Sequence, residues 1–210
     1  MKKVTSLLAI LLLLFNCQES KDSTSANQVS PFNRNVGKQI SMDVAERWIS
    51  RYKEKNNTAR IEEDPSITEA ELNSILTPLD EKLGASFHRA IDEDGEYHIL
   101  VASVMEGQSA WSSEQILDAS NNVLINAQTA EAWANRYKAE NPNGIWSHFF
   151  GVYVFEQHYV NIDLHEARND QDVPQILLFI TRNQSVDNGR STEETIDVYD
   201  VSAPCPATCN

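Results

Sequence analysis

SMDVAERWISRYKEKN at residues 41–56 and NAQTAEAWANRYKAEN at residues 126–141 are two versions of one stretch. At an offset of 85 residues they share Ala45/Ala130, Glu46/Glu131, Trp48/Trp133, Arg51/Arg136, Tyr52/Tyr137, Lys53/Lys138 and Asn56/Asn141. The chain has only 4 Trp and 6 Tyr in 210 residues, so a gapless match that pairs both points to an internal duplication. Ala45, Trp48, Ile49 and Tyr52 fall at i, i+3, i+4 and i+7, as do Ala130, Trp133, Ala134 and Tyr137. That spacing puts each set on one face of a helix. Ser41 and Asn126 stand where N-caps belong. The shared residues are therefore read mainly as a buried stripe. Arg51 and Arg136 lay their stems along the aromatics and reach a carboxylate or the surface.

Working outward, Thr68-Glu69-Ala70-Glu71 is a capping box, and it opens a helix with the stripe Leu72, Ile75, Leu76 and Leu79. Strand patterns at 85–91 and 97–104 flank the acidic turn Asp92-Glu93-Asp94-Gly95-Glu96, where Asp94-Gly95 is a hairpin signal. A two-residue turn there pairs His98 with Ile91 and His88 with Val101. After the second helix, the apolar run ending at Phe155 is read as a short helix. Residues 159–166 alternate as a half-buried strand, 175–181 form an apolar strand, 183–194 a polar loop and 195–201 a last strand. The expected fold is α+β: two tandem helix–helix–β-hairpin repeats, 41–125 and 126–210. Their hairpins are expected to join in one antiparallel sheet with helices packed on one face.

The start of the chain reads as export. Lys2 and Lys3 precede the apolar run Val4–Phe15, which has signal-peptide length, so residues 1–16 are read as a signal peptide. Leu14-Phe15-Asn16-Cys17 resembles a bacterial lipobox, which makes Cys17 the lipidated residue and the N-terminal lipid the expected membrane anchor. Residues 17–40, polar and without periodicity, read as a flexible tether. Removing residues 1–17 takes away Lys2 and Lys3 and no acid, leaving 15 basic against 31 acidic residues, a formal −16. That charge disfavours nucleic acid and anionic membrane surfaces as partners. Cys205 and Cys209, near the C-terminus, are an even pair in an oxidising setting and are read as a local disulfide.

Trp133, Tyr137, Asn141-Pro142, His148-Phe149-Phe150-Gly151, the turn Asn169 to Asp172 and the tail from Cys205 to Cys209 together carry a resemblance. The pattern is similar to uncharacterised exported proteins of Bacteroidetes-type bacteria. The resemblance implies export and architecture, and no catalytic residues. It departs at the tail, where three residues separate the cysteines.

Candidate chemistry is sparse. His165-Glu166 begins like a zinc-protease helix, but the second histidine position is Asn169 and the context is strand. On that strand His158 and His165 have opposite parity. The acidic turn at 92–96 has the density of a calcium loop without its twelve-residue spacing. There is no GxSxG and no phosphate-binding glycine loop. No catalytic, cofactor-binding or metal-binding residue is assigned, and no cofactor is expected. Trp111, Trp146 and His148 are candidate partner contacts. The favoured reading is a non-enzymatic lipoprotein of the cell envelope, anchored at the outer membrane, that binds a protein or glycan partner. The alternative is an envelope hydrolase with a site between the repeats using His165, Asp163 or His148.

Overall fold

A computed structural model describes residues 34–56, 64–186 and 191–200. The leader, Cys17, the first part of the tether and the Cys205–Cys209 tail lie outside the described residues. The strands are β1 (Lys38–Ile40), β2 (Ser66–Thr68), β3 (Gly84–Ile91), β4 (Tyr97–Val104), β5 (Gln115–Asp118), β6 (Val123–Asn126), β7 (Ser147–Gly151), β8 (Asn161–Arg168), β9 (Pro174–Val186) and β10 (Ser191–Asp200). The helices are α1 (Met42–Lys55), α2 (Glu69–Leu76) and α3 (Ala127–Glu140). Short 3-10 turns at Leu79–Glu81, Ala110–Ser112 and Val152–Phe155 link them. Among the described residues no helix is long and apolar enough to cross a membrane.

The fold is α+β, with three helices packed on two antiparallel sheets rather than on the single sheet expected. One sheet runs β1-β10-β9-β8-β2 and the other β6-β5-β4-β3-β7. In the first, the meander β8-β9-β10 is flanked by β1 and β2 from the earlier part of the chain; in the second, the meander β3-β4-β5-β6 takes β7 from the later part on its open edge. The helices follow the edge strands: α1 lies over β8, and α3 over β3. One-sheet closure fails because β3 and β4 are buried on both faces, every residue of β3 being enclosed, so each face needs a cover. One face takes a helix and the other takes the second sheet.

Phe87, Ile99, Val101 and Leu117 of one sheet meet Ile162, Leu164, Ile176, Leu178 and Ile180 of the other in the central core. Phe150 packs edge-on to Phe87 at 5.4 Å, and α2 closes one side with Leu72, Ile75 and Leu76. Two smaller cores lie outside the sheets. Ala45 and Trp48 of α1 cover Ala167, Leu177 and Val198. Ala130 of α3, with Trp133 beside it, covers Ala90, Leu100 and Ile116. The paired alanines, both with no exposed surface, let each helix sit close on its sheet.

Local signals act as the chemistry requires. The capping box forms, with Thr68 Oγ1 accepting from the Glu71 amide and Glu71 Oε2 from the Thr68 amide. Asn126 caps α3 through the Thr129 amide, whereas Ser41 makes no side-chain cap. Asn56 and Asn141 end their helices alike, each donating Nδ2 to the carbonyl of Tyr52 or Tyr137. Gly84 faces Gly151 across β3 and β7, and a Cβ on Gly84 would stand 1.9 Å from the Phe150 carbonyl oxygen.

Several expectations change. The run to Phe155 is β7 followed by a 3-10 turn. Residues 183–186 and 191–194, read as loop, extend β9 and begin β10. Residues 34–40, read as tether, join the fold: Arg34 Nη1 donates to the carbonyls of Leu79 and Lys82, and β1 pairs with β10. The first hairpin turns over five residues, so Ile91 pairs with Tyr97, Ala90 with His98, and His88 with Leu100. That one-residue slip moves His98 to the other face of the sheet.

Candidate functional site

Gly95 takes φ +86°, and Asp92 Oδ1 accepts from the amides of Asp94 and Glu96 at 2.9 and 2.8 Å. One carboxylate oxygen thus shapes the turn and Oδ2 is left over. In the corrected register His98 follows the turn facing α3, under the Trp133 ring at 4.8 Å. From the adjoining strand, Asp118 accepts from His98 Nδ1 at 3.1 Å. Asp118 is itself fixed by the Ser120 amide at 3.1 Å and Asn121 Nδ2 at 3.0 Å. A carboxylate only accepts, so Nδ1 carries the proton and Nε2 is directed away from Asp118.

Nε2 points to the turn. Asp92 Oδ2 lies 3.3 Å from it, but Nε2 completes no hydrogen bond. One ligand atom each from Asp92, Glu96 and His98 lie within 4.8 Å of one another. These three residues could hold a cation. The hydrogen bond that His98 donates to Asp118 raises its pKa against the opposing pull of burial, and Asp92 adds to the rise. Burial of Asp92 acts to raise its pKa, but the Glu96 and Asp94 amides and His98 outweigh it and hold the carboxyl below its ordinary value.

The helix closes the site from the other half of the chain. Trp133 Nε1 donates to Glu93 Oε2 at 2.8 Å, and Arg136 Nη1 to the Ile91 carbonyl at 2.8 Å. The duplicated Trp and Arg therefore grip a hairpin turn. On the other sheet Arg51 reaches the Asn169 carbonyl and Asp170.

A second polar cluster lies between the sheets and is chemically spent. Arg89 Nε and Nη2 donate to the two oxygens of Glu166 at 2.8 and 2.6 Å, and the Tyr97 hydroxyl also donates to Glu166. Arg89 further donates to the carbonyls of Ile145 and Gln175. His148, with no exposed surface, lies between Arg89 and the Pro174 carbonyl. Burial, then Arg89, drive its pKa well below the ordinary histidine value. His148 is thus a neutral internal spacer and not a surface contact.

The other sequence candidates do not converge. His165, paired with Asp64 at 2.9 Å, and Asp163 face α1, while Glu166 faces the opposite sheet beside His148. His158 is almost fully exposed and meets Glu69. Trp111 is half-buried on the His88 ring at 4.5 Å, and Trp146 lies under Lys138 Nζ at 5.4 Å. A cavity of about 260 Å³ lined by Ser74, Lys82, Ser103, Met105 and Glu114 holds none of these groups.

The cluster at Asp92, Glu96 and His98 overturns the reading of a purely non-enzymatic module, because it has the unspent acid–base atoms that a catalytic or metal site needs. Sequence reasoning missed Asp118 altogether and paired His98 with Ile91, where the strand pairs it with Ala90. The available signal was Asp92 with Gly95 three residues on, which suits a longer turn built on the Asp side chain. No protein-family model, curated protein or solved structure matches the chain.

Proposed function

We propose that the chain is a hydrolytic enzyme whose site is built on His98. Asp118 lies behind the ring, Asp92 and Glu96 lie in front, and Trp133 closes the site from the other half. One observation carries the reading: His98 Nε2 is buried, unpartnered and aimed at two carboxylates, while Nδ1 is held by Asp118. A carboxylate behind the ring fixes the tautomer and raises the basicity of the far nitrogen, as a base that takes a proton from water requires. The exposed Glu93, Asp94 and Glu96 repel anions, which favours neutral or cationic substrates with amide, ester or glycosidic bonds.

Two further points belong to this proposal. The halves are two copies of one unit, supported by the matching helices and by hairpins that correspond residue for residue. The enzyme works in the cell envelope as a lipoprotein held through Cys17, supported by the lipobox-like leader and the family resemblance. A panel of neutral peptide, ester and glycan substrates tests the activity. His98→Ala should lower turnover about 10²–10⁴-fold. Turnover equal to the parent chain's would sink the reading.

A further inference from the structure

We infer that Asp92, Glu96 and His98 form a centre for one divalent cation of the zinc class. The inference rests on the same site as the hydrolytic reading, names its cofactor and changes one role: Nε2 would hold the ion in place of accepting the proton from water.

Three acidic or imidazole groups close together would not suffice. The decisive feature is His98, which is 3% exposed and whose Nε2 has no hydrogen-bond partner although it is aimed at the acidic turn. A nitrogen enclosed by protein that completes no hydrogen bond is costly, even with Asp92 Oδ2 3.3 Å away. The surrounding structure holds it there firmly: Asp118 on Nδ1, the Trp133 ring on its face, and the strand on both sides.

The distances suit a metal. A four-coordinate ion with bonds of about 2.0–2.2 Å holds its ligand atoms about 3.3 Å apart. Nε2 and Asp92 Oδ2 already stand at 3.3 Å. Glu96 is exposed, and its ligand atom already lies within 4.8 Å of the other two. Asp92 Oδ1 is committed to the turn amides, which leaves Oδ2 as the ligand. Asp118 is the partner that a metal-bound histidine has on its other nitrogen.

The donor set selects the ion. One imidazole and two carboxylates suit zinc, whereas calcium takes six to eight oxygens. Three protein ligands leave a position for water, and the ion would supply a lowered pKa to water bound there.

The test is calorimetric titration of the full-length chain, purified in detergent and stripped with EDTA, with zinc chloride and separately with calcium chloride. Zinc should bind at one site that calcium does not compete for. On titration, the ¹⁵N resonance of His98 Nε2, not Nδ1, should move. His98→Ala should abolish that site, and Asp118→Asn should weaken it 10- to 100-fold. If His98→Ala loses its cooperative melt, Glu96→Gln decides, since an exposed side chain does not threaten folding; it should weaken zinc at least 10-fold. No zinc uptake, unchanged affinity in Glu96→Gln, or a preference for calcium would overturn the inference. Zinc uptake without hydrolysis would remove the hydrolytic reading alone. Hydrolysis that resists EDTA yet falls with His98→Ala would remove the metal alone.

Discussion

The turn at Asp92–Glu96 and the turn at Asn169–Val173 share one backbone and diverge in chemistry. β3 and β4 correspond to β8 and the start of β9 at a constant offset of 77 residues through every pair of the ladder. Asn169 Oδ1 accepts from the amides of Gln171 and Val173 as Asp92 Oδ1 does from Asp94 and Glu96. Asp172 takes positive φ where Gly95 does. A Trp-x-x-Arg helix from the opposite half lies over each turn. Yet Asp92, Glu96 and His98 correspond to Asn169, Val173 and Gln175. The architecture of a turn and its ability to do chemistry are thus set by different atoms. Oδ1 builds the turn, and an amide serves there as well as a carboxylate. Oδ2 and the residues at the other two positions decide whether anything can bind.

The same correspondence places the buried ion pair. Arg89 and Glu166 occupy equivalent positions and meet each other across the sheets. Identical halves would put like against like there, so the bidentate pair needs the halves to differ. Removing one partner strands the other charge in the core, and such losses run to about 3–5 kcal/mol. Arg89→Ala should show that loss in denaturant unfolding. Arg89→Met combined with Glu166→Met should recover most of it, and a double variant no better than the single would show that the pair is not the source.

Acid offers a finer division, because the histidines of the first hairpin shift in opposite directions. Burial, then Lys138, push His88 down to about 3, and burial and Arg89 lower His148. The unfolded chain binds a proton at each below about pH 6.5 and the folded chain does not. For His88 stability therefore falls as pH drops from about 6.5 toward 3, by about 1.4 kcal/mol per pH unit, and His148 acts in the same direction. His98 has the opposite sign: its contribution is present below about pH 6.5 and is lost as pH rises through its raised folded value. Melts of His88→Gln from pH 7 to 4 should have a shallower acid limb than the parent chain. An unchanged limb would place the proton uptake elsewhere.

These differences explain what the sequence could reveal. Helices α1 and α3, the capping box at Thr68 and the strands of the first hairpin rest on spacing within a few residues, and they were legible. Which helix covers which sheet was not, since α1 lies on a meander more than a hundred residues away. The polar residues at 183–186 and 191–194 read as loop because composition is silent about backbone pairing, and there β9 and β10 bond each other. The candidate site failed on two separate grounds. A two-residue turn pairs His98 with Ile91, whereas Asp92 builds a longer turn that pairs it with Ala90. Asp118 carries no local signal, and its role exists only through the pairing of β5 with Leu100 and Val101.

The smallest expected effect is also the sharpest test of the comparison. Asp118 stands opposite Leu100, and Asp200 stands one step beyond the Tyr199–Leu178 pair, the corresponding place in the other sheet. The second half therefore already has a carboxylate behind position 175. Asn169→Asp should keep the turn, because one carboxylate oxygen still accepts from both amides. Val173→Glu and Gln175→His then supply the two missing ligands. The triple variant should bind a second zinc ion. Asn121 Nδ2 helps to orient Asp118, and three residues after Asp200 the sequence has Ala203 in place of that amide; without it the acquired site should be about 10- to 100-fold weaker than the native one. Calorimetry reads the outcome directly. Two ions per folded chain would mean that the three side chains are the whole difference between the turns. One ion, with the melt unchanged, would mean that Asp118 and its fixing contacts matter as much as the ligands themselves.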